Sequence, residues 1–356
     1  KLGNAGGVAL GVGDNEMYIA SDIPAIVSHT RKITFLESGQ FAIVRRDGFS
    51  IQDLDGNPVK AVIENIPWDP ISAEKGRYRH FMQKEIHEQV RSLSDTLSGR
   101  IDYEGNRIIL PGLNLDLEKA KEIKKIFITA CGTAAYAGMV GKYLIEHITR
   151  IPVEVMVASE FRYSDPIIEP GTVVLAISQS GETADTLAAM EEARKKGALL
   201  WSVVNAIGSQ AMRIADGCIS MQVGPEIGVA STKAFTAPIL DLYMIAILLA
   251  DLRGTLEEQR RFELVKDLLS VPSLVERALE NEPAIKAIAN RYREMKGSLY
   301  IGRGVNMPIA YEGALKLKEI SYVLAEGYPA GEMKHGPIAL VDKELPVVAI
   351  APQDPW

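Results

Sequence analysis

The sequence has little cysteine, with two among its 356 residues. Two cysteines cannot build a disulfide framework, so they predict a reducing compartment, the cytoplasm. The five histidines show no metal-ligand spacing, and no metal site is expected. A membrane helix needs ~20 consecutive apolar residues. The most apolar run, residues 234–250, contains Pro238 and Asp241, so no contact with a membrane is expected either.

An excess of positive charge is also absent. The formal net charge is -7, which disfavours a nucleic-acid partner because phosphate backbones attract basic surfaces. Hydrophobic residues make up 47% and charged residues 24% of the chain, a composition typical of a globular protein. The chain begins at Lys1, without Met, and ends directly after a strand-like run at 346–351. We therefore expect a fragment of a longer protein.

Apolar runs and turn residues indicate two kinds of structure. Residues 1–67 contain short strand candidates separated by turns such as 13–15 and 55–57, typical of antiparallel sheet. From residue 124 onward, buried strands alternate with helices, which predicts a parallel sheet covered on both faces. The predicted strands there are 126–130, 153–158, 173–177, 199–204 and 217–221, and the predicted helices are 135–147, 184–196, 210–215 and 233–252.

This pattern occurs twice. Gly132 is followed by Gly304, and Glu160 by Glu332, each after 172 residues. A period this long predicts a duplicated domain rather than a solenoid. The predicted organisation is a β-rich segment at 1–67, a linker with a helix at 68–118, a first α/β domain at 119–255, a helical connector at 256–295, and a second, truncated copy at 296–356.

The sharpest local motif lies where an apolar strand meets a helix, at residues 173–183. Ser178, Gln179, Ser180 and Thr183 supply side-chain donors, and a helix N-terminus favours an anion. One interpretation is a cradle for a monophosphate. The other is an ordinary Ser/Thr helix cap. No Walker lysine follows, which argues against a nucleotide P-loop.

Two further polar turns precede helices in the same domain. Cys131, Gly132 and Thr133 follow the first predicted strand, and residues 230–233 open the helix at 233–252. Carboxyl ends of strands are where open α/β sheets bind ligands. Cys131 is either a nucleophile or a small buried hydrophobe, since no histidine lies near it in sequence. Residues 230–233 are either pocket-lining or a helix cap.

The second copy carries charged residues at helical spacing. Glu312, Lys316 and Glu319 share one helix face. They form either a solvated salt-bridge face or a carboxylate base beside a lysine that moves protons. His335 ends a glycine-punctuated loop and is either an acid/base group or a surface histidine.

Together, five segments resemble the isomerising glutamine:fructose-6-phosphate aminotransferase family. They are residues 131–133, 178–183, 229–233, 312–321 and 334–337. The resemblance implies tandem SIS (sugar-isomerase) domains, each a doubly wound parallel sheet covered by helices. Residues 19–22 and 35–37 resemble the end of the family's N-terminal-nucleophile glutaminase domain, and 78–86 resemble its linker.

The resemblance also implies the reaction and its residues. The family makes glucosamine 6-phosphate and glutamate from fructose 6-phosphate and glutamine, without a cofactor. Catalytic roles would fall to three residues: Glu319 would move a proton from C1 to C2, Lys316 would assist at O1, and His335 would open the sugar ring. In the family this histidine comes from the partner subunit, which implies a homodimer. The implied sugar-phosphate contacts are Cys131, Gly132, Thr133, Ser178, Gln179, Ser180, Thr183, Val229 and Ser231.

Three departures from the family pattern qualify that expectation. Lys1 is not the family's N-terminal cysteine, so no glutamine hydrolysis is expected. The sequence ends before the family's Schiff-base lysine, so isomerisation should be feeble. Ala134 stands where the family often has a phosphate-binding serine. An alternative is a SIS module that binds a sugar phosphate to regulate a partner and has no catalysis. A third is another SIS isomerase, or a deglycase acting on sugar-phosphate amines.

Overall fold

The structure, a computed structural model, describes residues 1–2, 7–21, 23–66 and 74–353. The β-rich start forms two antiparallel sheets, with strand orders β2-β1-β3-β7 and β4-β5-β6. Residues 68–73, at the start of the predicted linker, lie outside the described residues. The strands are β1 (Ala9–Val12), β2 (Met17–Ala20), β3 (Lys32–Phe35), β4 (Gln40–Arg45), β5 (Gly48–Asp53), β6 (Pro58–Val59) and β7 (Glu64–Asn65).

The next described segment, residues 74–122, packs against the first α/β domain. It contains helix α1 (Phe81–Leu97), a small hairpin of β8 (Ile101–Asp102) and β9 (Arg107–Ile108), and helix α2 (Leu117–Glu122). The Asp116 side chain caps α2 by accepting a hydrogen bond from the Lys119 N–H at 2.9 Å. The helical periodicity of residues 80–97 predicts α1 to within one residue. The two-residue strands of the hairpin are too short to give a pattern of their own.

The first α/β domain is a five-stranded parallel sheet in the order β11-β10-β12-β13-β14. The predicted fold class, a parallel sheet flanked by helices, is confirmed. The strands are β10 (Lys125–Ala130), β11 (Val153–Val157), β12 (Thr172–Ser178), β13 (Leu199–Val204) and β14 (Gly217–Ser220), and the helices are α3 (Gly132–Thr149), α4 (Ala158–Phe161), α5 (Ala184–Lys195), α6 (Gln210–Ile214) and α7 (Lys233–Leu252).

Alternate strand residues point to opposite faces of this sheet. Ile126 and Ile128 belong to a core cluster that includes residues of α1, α3 and α7. Phe127, between them, belongs to a second cluster with residues of α4, α5 and α6. Burial on both faces explains why these strands are continuous apolar runs rather than alternating ones.

The second copy repeats the first. Its sheet has the order β16-β15-β17, which matches β11-β10-β12, and all its pairs are parallel. Strand β16 contains Gly327 and Pro329 and lies at the sheet edge, so its residues give no strand pattern in the sequence. The remaining elements are α8 (Glu258–Leu279), α9 (Glu282–Arg291), β15 (Gly297–Gly302), α10 (Asn306–Ser321), β16 (Leu324–Pro329) and β17 (Val347–Ile350).

Helix α7 is the one described helix whose length and apolarity would suffice to cross a membrane. Most of its residues are buried inside the fold, against α1 and α3. Asp241 in its middle is fully buried, and its Oδ1 lies 2.5 Å from Arg100 Nη1. Burial raises the pKa of the Asp241 carboxyl to about 7, against the opposing effect of Arg100.

Loss of this arginine should therefore destabilise the fold. We expect Arg100→Met to lower the free energy of unfolding by about 3–5 kcal/mol at pH 8, because Asp241 would be left buried and charged without its partner. The loss should shrink at pH 5.5, where Asp241 is neutral. Urea unfolding at both pH values measures it. The exposed Arg91→Met, on α1, is the control, and an equal effect of the two variants would contradict this role.

Candidate active site

A pocket of about 240 Å³ opens at the carboxyl ends of β10 and β12. The chain runs from β10 to an edge neighbour on one side and then crosses to β12 on the other, so this is where the strand order switches. Such a switch point is the expected ligand site of an open α/β sheet. The pocket is lined by Cys131, Thr133, Ala134, Ile177, Ser178, Gln179, Ser180, Thr183, Thr186, Val229, Ser231, Ala234, Lys316 and Glu319.

The turn after β12 forms one wall of this pocket. Ser178 Oγ accepts a hydrogen bond from the Gly181 N–H at 3.0 Å and lies 3.2 Å from Thr183 Oγ1. Ser180 Oγ accepts from the Glu182 N–H at 3.2 Å. The hydroxyls therefore order the turn, while Ser178, Gln179, Ser180 and Thr183 all line the cavity. The hydroxyls bond within the turn and do not cap α5, whose N-cap residue Thr183 makes no side-chain cap hydrogen bond. The same turn faces the open pocket, so the cradle for a monophosphate stays a prediction.

Gly181 is required for this shape. Its φ is +65°, and an added Cβ would lie 2.1 Å from Ser209 Oγ. Left-handed backbone and lack of space both exclude a side chain here. The Gln179 carbonyl accepts from the N–H groups of Asn205 and Ala206 at 3.2 and 3.1 Å, which ties the turn to the end of β13.

The turn after β10 supplies the neighbouring wall. Cys131 and Thr133 line the pocket, whereas Gly132, between them, has φ +53° and is exposed. Cys131 Sγ lies 3.9 Å from Thr186 Oγ1. The half-buried thiol faces a hydroxyl rather than a base, which supports a packing role over a nucleophilic one.

The opposite wall comes from α10 of the second copy, which packs against α3. Lys316 Nζ lies 2.5 Å from Glu319 Oε2 and 3.5 Å from Glu312 Oε1. Thr133 Oγ1 lies 3.1 Å from Glu312 Oε1 and 3.0 Å from Lys316 Nζ. The stripe is therefore not solvated along its whole length: Glu312 is only 5% exposed, whereas Glu319 is exposed.

Glu312 is the site group whose importance the sequence pattern alone does not show. Burial raises the pKa of its carboxyl to about 7, while Lys316 and Thr133 act in the opposite direction. Its Oε2 has no hydrogen-bond partner among the described residues. A buried carboxyl that titrates near neutral pH, next to a lysine and a second carboxylate, is an arrangement suited to proton transfer.

Of the remaining predicted site residues, two line the pocket and one does not. Val229 and Ser231, from the segment after β14, line the pocket. His335 ends a 3-10 helix (Ala330–His335), is exposed, and is not among the lining residues of its own chain. Across the described part of the chain, no group of three or more His, Cys, Asp and Glu side chains is arranged to hold a metal ion.

Comparison with known proteins agrees with this fold. The family model for the SIS domain matches residues 120–248 and 292–355. The glutamine–fructose-6-phosphate aminotransferase [isomerizing] of Clostridium tetani is 46% identical over 345 residues, 97% of this chain. The enzyme of the same name from Aquifex aeolicus is 47% identical over 345 residues. The chain spans 57% and 55% of the lengths of these two relatives.

A solved structure of a related protein has a similar fold. The C-terminal domain of glucosamine-fructose-6-phosphate aminotransferase from Francisella tularensis superposes with a TM-score of 0.76 at 40% identity. The match covers 79% of this chain and 78% of that one.

The raised pKa of Glu312 predicts a specific pH dependence of stability. The folded-state pKa of about 7 exceeds the ordinary glutamate value. The stabilisation from this group is therefore complete below about pH 4.3 and is lost as the pH rises through 7. Relative to Glu312→Gln, the protein should lose on the order of 2 kcal/mol of unfolding free energy between pH 5 and pH 8. Urea unfolding of both proteins across this range tests it, and parallel curves would contradict the assignment.

Proposed function

Because this chain belongs to the SIS-domain family, in the group that includes the glutamine–fructose-6-phosphate aminotransferases, we propose that it is the sugar-isomerising part of such an enzyme. The intact protein would convert fructose 6-phosphate and glutamine into glucosamine 6-phosphate and glutamate. The observation that carries the proposal is one pocket with a hydroxyl-lined turn on one wall and a carboxylate–lysine cluster on another.

The hydroxyl-lined turn suits a phosphate that takes no part in the chemistry. Ser178, Gln179, Ser180 and Thr183 would hold the phosphate of fructose 6-phosphate at the start of α5, where the helix dipole favours an anion. Binding energy from this remote group fixes the position of the reacting end. The turn at Cys131, Gly132 and Thr133, together with Val229 and Ser231, would surround the sugar chain.

The cluster on α10 suits a ketose-to-aldose conversion. Glu319 would take a proton from C1 and return it to C2, since a single base can serve two adjacent carbons. Lys316, within 2.5 Å of Glu319, would assist proton transfer at O1, whose hydroxyl loses its proton as C1 becomes the aldehyde carbon. Glu312 would hold Lys316 and Thr133 in place from behind.

His335 would complete the site from a second subunit. It is exposed and lies outside the pocket of its own chain. A homodimer in which the partner supplies this histidine as the ring-opening acid/base accounts for that position. The reaction would need neither a metal nor a redox cofactor. The two free cysteines are consistent with a reducing compartment such as the cytoplasm.

A regulatory sugar-phosphate module is the competing function. Such a module needs the phosphate-binding turn but has no use for a lysine and two carboxylates beside the reacting carbons. Lys316 and Glu319 line the same pocket as that turn, and Glu312 is buried against Thr133 behind them, which favours the enzyme.

Binding is the first test. We expect the chain to bind fructose 6-phosphate in a calorimetric titration and not to bind fructose. Ser180→Ala should weaken that binding by about tenfold, the effect of one hydrogen bond to a charged group. Equal affinity for the sugar with and without its phosphate would contradict the cradle.

Proton transfer is the second test. In D₂O, the wild-type chain should exchange the C1 proton of fructose 6-phosphate, slowly but measurably by NMR. Glu319→Gln should reduce the exchange rate by at least about 100-fold while binding persists, because the base is lost. The control is Glu154→Gln, which changes an exposed glutamate that pairs with Lys125 and does not line the pocket. Binding without exchange in the wild type would support the regulatory module instead.

A gain of affinity provides a third test. Ala134 lines the pocket in the first turn of α3, where the family often carries a serine. Ala134→Ser should tighten phosphate-dependent binding by about tenfold if its hydroxyl meets a charged phosphate. Unchanged or weaker affinity would place the phosphate elsewhere in the pocket.

A further inference from the structure

One wall of the pocket rests on backbone that has no regular structure. Residues 221–232 connect β14 to α7 and form neither helix nor strand. This connection carries Val229 and Ser231 into the pocket, and Val229 is fully exposed. Irregular backbone stays in one position only when other groups satisfy its N–H and C=O groups. The question is which groups fix it.

Asn205 holds Val223 and Gly224 of this connection, and α1 supplies further contacts. Residues of α1 at helical spacing reach the segment from Ser220 to Thr236 along one face of the helix. Glu88 Oε2 lies 3.1 Å from the buried Lys233 Nζ, which also donates to the Pro225 carbonyl at 2.8 Å. The other contacts are Glu85 to Ile227 and Gly228, Gln89 to Thr236, Thr96 to Met221 and, beyond the helix, Arg100 to Ser220.

Of these α1 residues, Glu85 contacts the backbone that is closest in sequence to the pocket residue Val229. Its Oε1 accepts hydrogen bonds from the N–H groups of Ile227 at 2.6 Å and Gly228 at 2.9 Å. Glu85 is only 2% exposed, so water has little access to replace these two hydrogen bonds. Gly228 directly precedes Val229, and a Cβ added to Gly228 would lie 2.5 Å from Glu85 Oε2. The carboxylate and the loop backbone are therefore fitted to each other.

A second carboxylate fixes the far end of the same connection. Glu226 Oε1 accepts from the N–H groups of Thr232 at 2.8 Å and Ala234 at 3.2 Å, which caps the start of α7. Glu85 and Glu226 thus hold the backbone on either side of residues 229–231. Glu226 belongs to the loop itself, but Glu85 comes from a helix outside the matched SIS segments.

We propose that Glu85 is a positioning residue for the sugar side of the pocket. By holding the Ile227 and Gly228 N–H groups, it sets Val229 and Ser231 against the ligand, and so makes sugar recognition depend on α1. The phosphate-binding turn after β12 is held by its own hydroxyls and by Asn205 and Ala206, with no contact to Glu85. Glu85 should therefore affect recognition of the sugar and leave recognition of phosphate unchanged. This inference rests on the proposed function, because it takes the ligand to be a sugar phosphate.

The test compares two ligands in calorimetric titrations of the full chain, fructose 6-phosphate and inorganic phosphate. Glu85→Ala should weaken fructose 6-phosphate binding by about tenfold and change phosphate binding by less than about twofold. Glu85→Gln, which keeps an acceptor oxygen, should restore most of the affinity. Asp95→Asn, an exposed carboxylate on the same helix, is the matched control and should bind both ligands as the wild type does.

A variant in the loop keeps the proposal testable should Glu85→Ala fail to fold. Gly228→Ala places its Cβ against the Glu85 carboxylate and should produce the same selective loss. A double-mutant cycle adds a readout that general destabilisation cannot imitate: Ser231→Ala should weaken fructose 6-phosphate binding in the wild type and have little further effect in Glu85→Ala.

The outcomes separate this inference from the proposed function. If the wild type binds phosphate no more weakly than fructose 6-phosphate, the sugar-phosphate function fails. If the wild type prefers the sugar phosphate but Glu85→Ala and Gly228→Ala bind it normally, the positioning role fails and the function stands. A parallel loss of both ligands, or additive effects of Glu85→Ala and Ser231→Ala, would also overturn the positioning role.

Discussion

The hydroxyl of Thr133 joins the two α/β copies at the point where the pocket forms. It stands in the first turn of α3, next to the hydroxyl-lined turn after β12, and touches both Glu312 and Lys316 of α10. Neither copy alone presents the hydroxyl-lined turn together with the carboxylate–lysine cluster. The packing of α3 on α10 brings the two together, and Tyr136 and Tyr311 reinforce this packing with ring centroids 5.7 Å apart. The duplication of the domain therefore has a chemical consequence, because each copy contributes a different wall.

Irregular backbone around the pocket is stabilised by two different means. The turn after β12 uses its own short side chains, Ser178 and Ser180, which bond to N–H groups two or three residues away. The connection after β14 is longer and depends on buried carboxylates, one of them supplied by α1. Local hydroxyl bonds suffice for a short turn, whereas a loop of a dozen residues needs fixed points from elsewhere in the fold.

This difference also explains how much the sequence could predict. The parallel sheet and the hydroxyl-lined turn follow from apolar runs and from residues adjacent in the chain, and both are visible without coordinates. The burial of Glu312 is not, because the stripe Glu312, Lys316 and Glu319 has the same spacing whether it faces water or α3. Likewise, Glu85 on α1 looks like an ordinary surface glutamate until the fold places residues 227 and 228 against it. Edge strand β16 escapes prediction because its glycine and proline mask the pattern.

The two distances from Lys316 to its neighbouring carboxylates show which of them it pairs with more closely. Lys316 lies a full ångström closer to Glu319 than to Glu312, so its charge is directed mainly at the carboxylate that lines the cavity. Glu312 is shielded from water, and one of its oxygens has no hydrogen-bond partner among the described residues. Burial therefore raises the pKa of its carboxyl. In the proposed reaction, Glu319 would face the substrate from the cavity wall, while the buried Glu312 would stay behind Lys316.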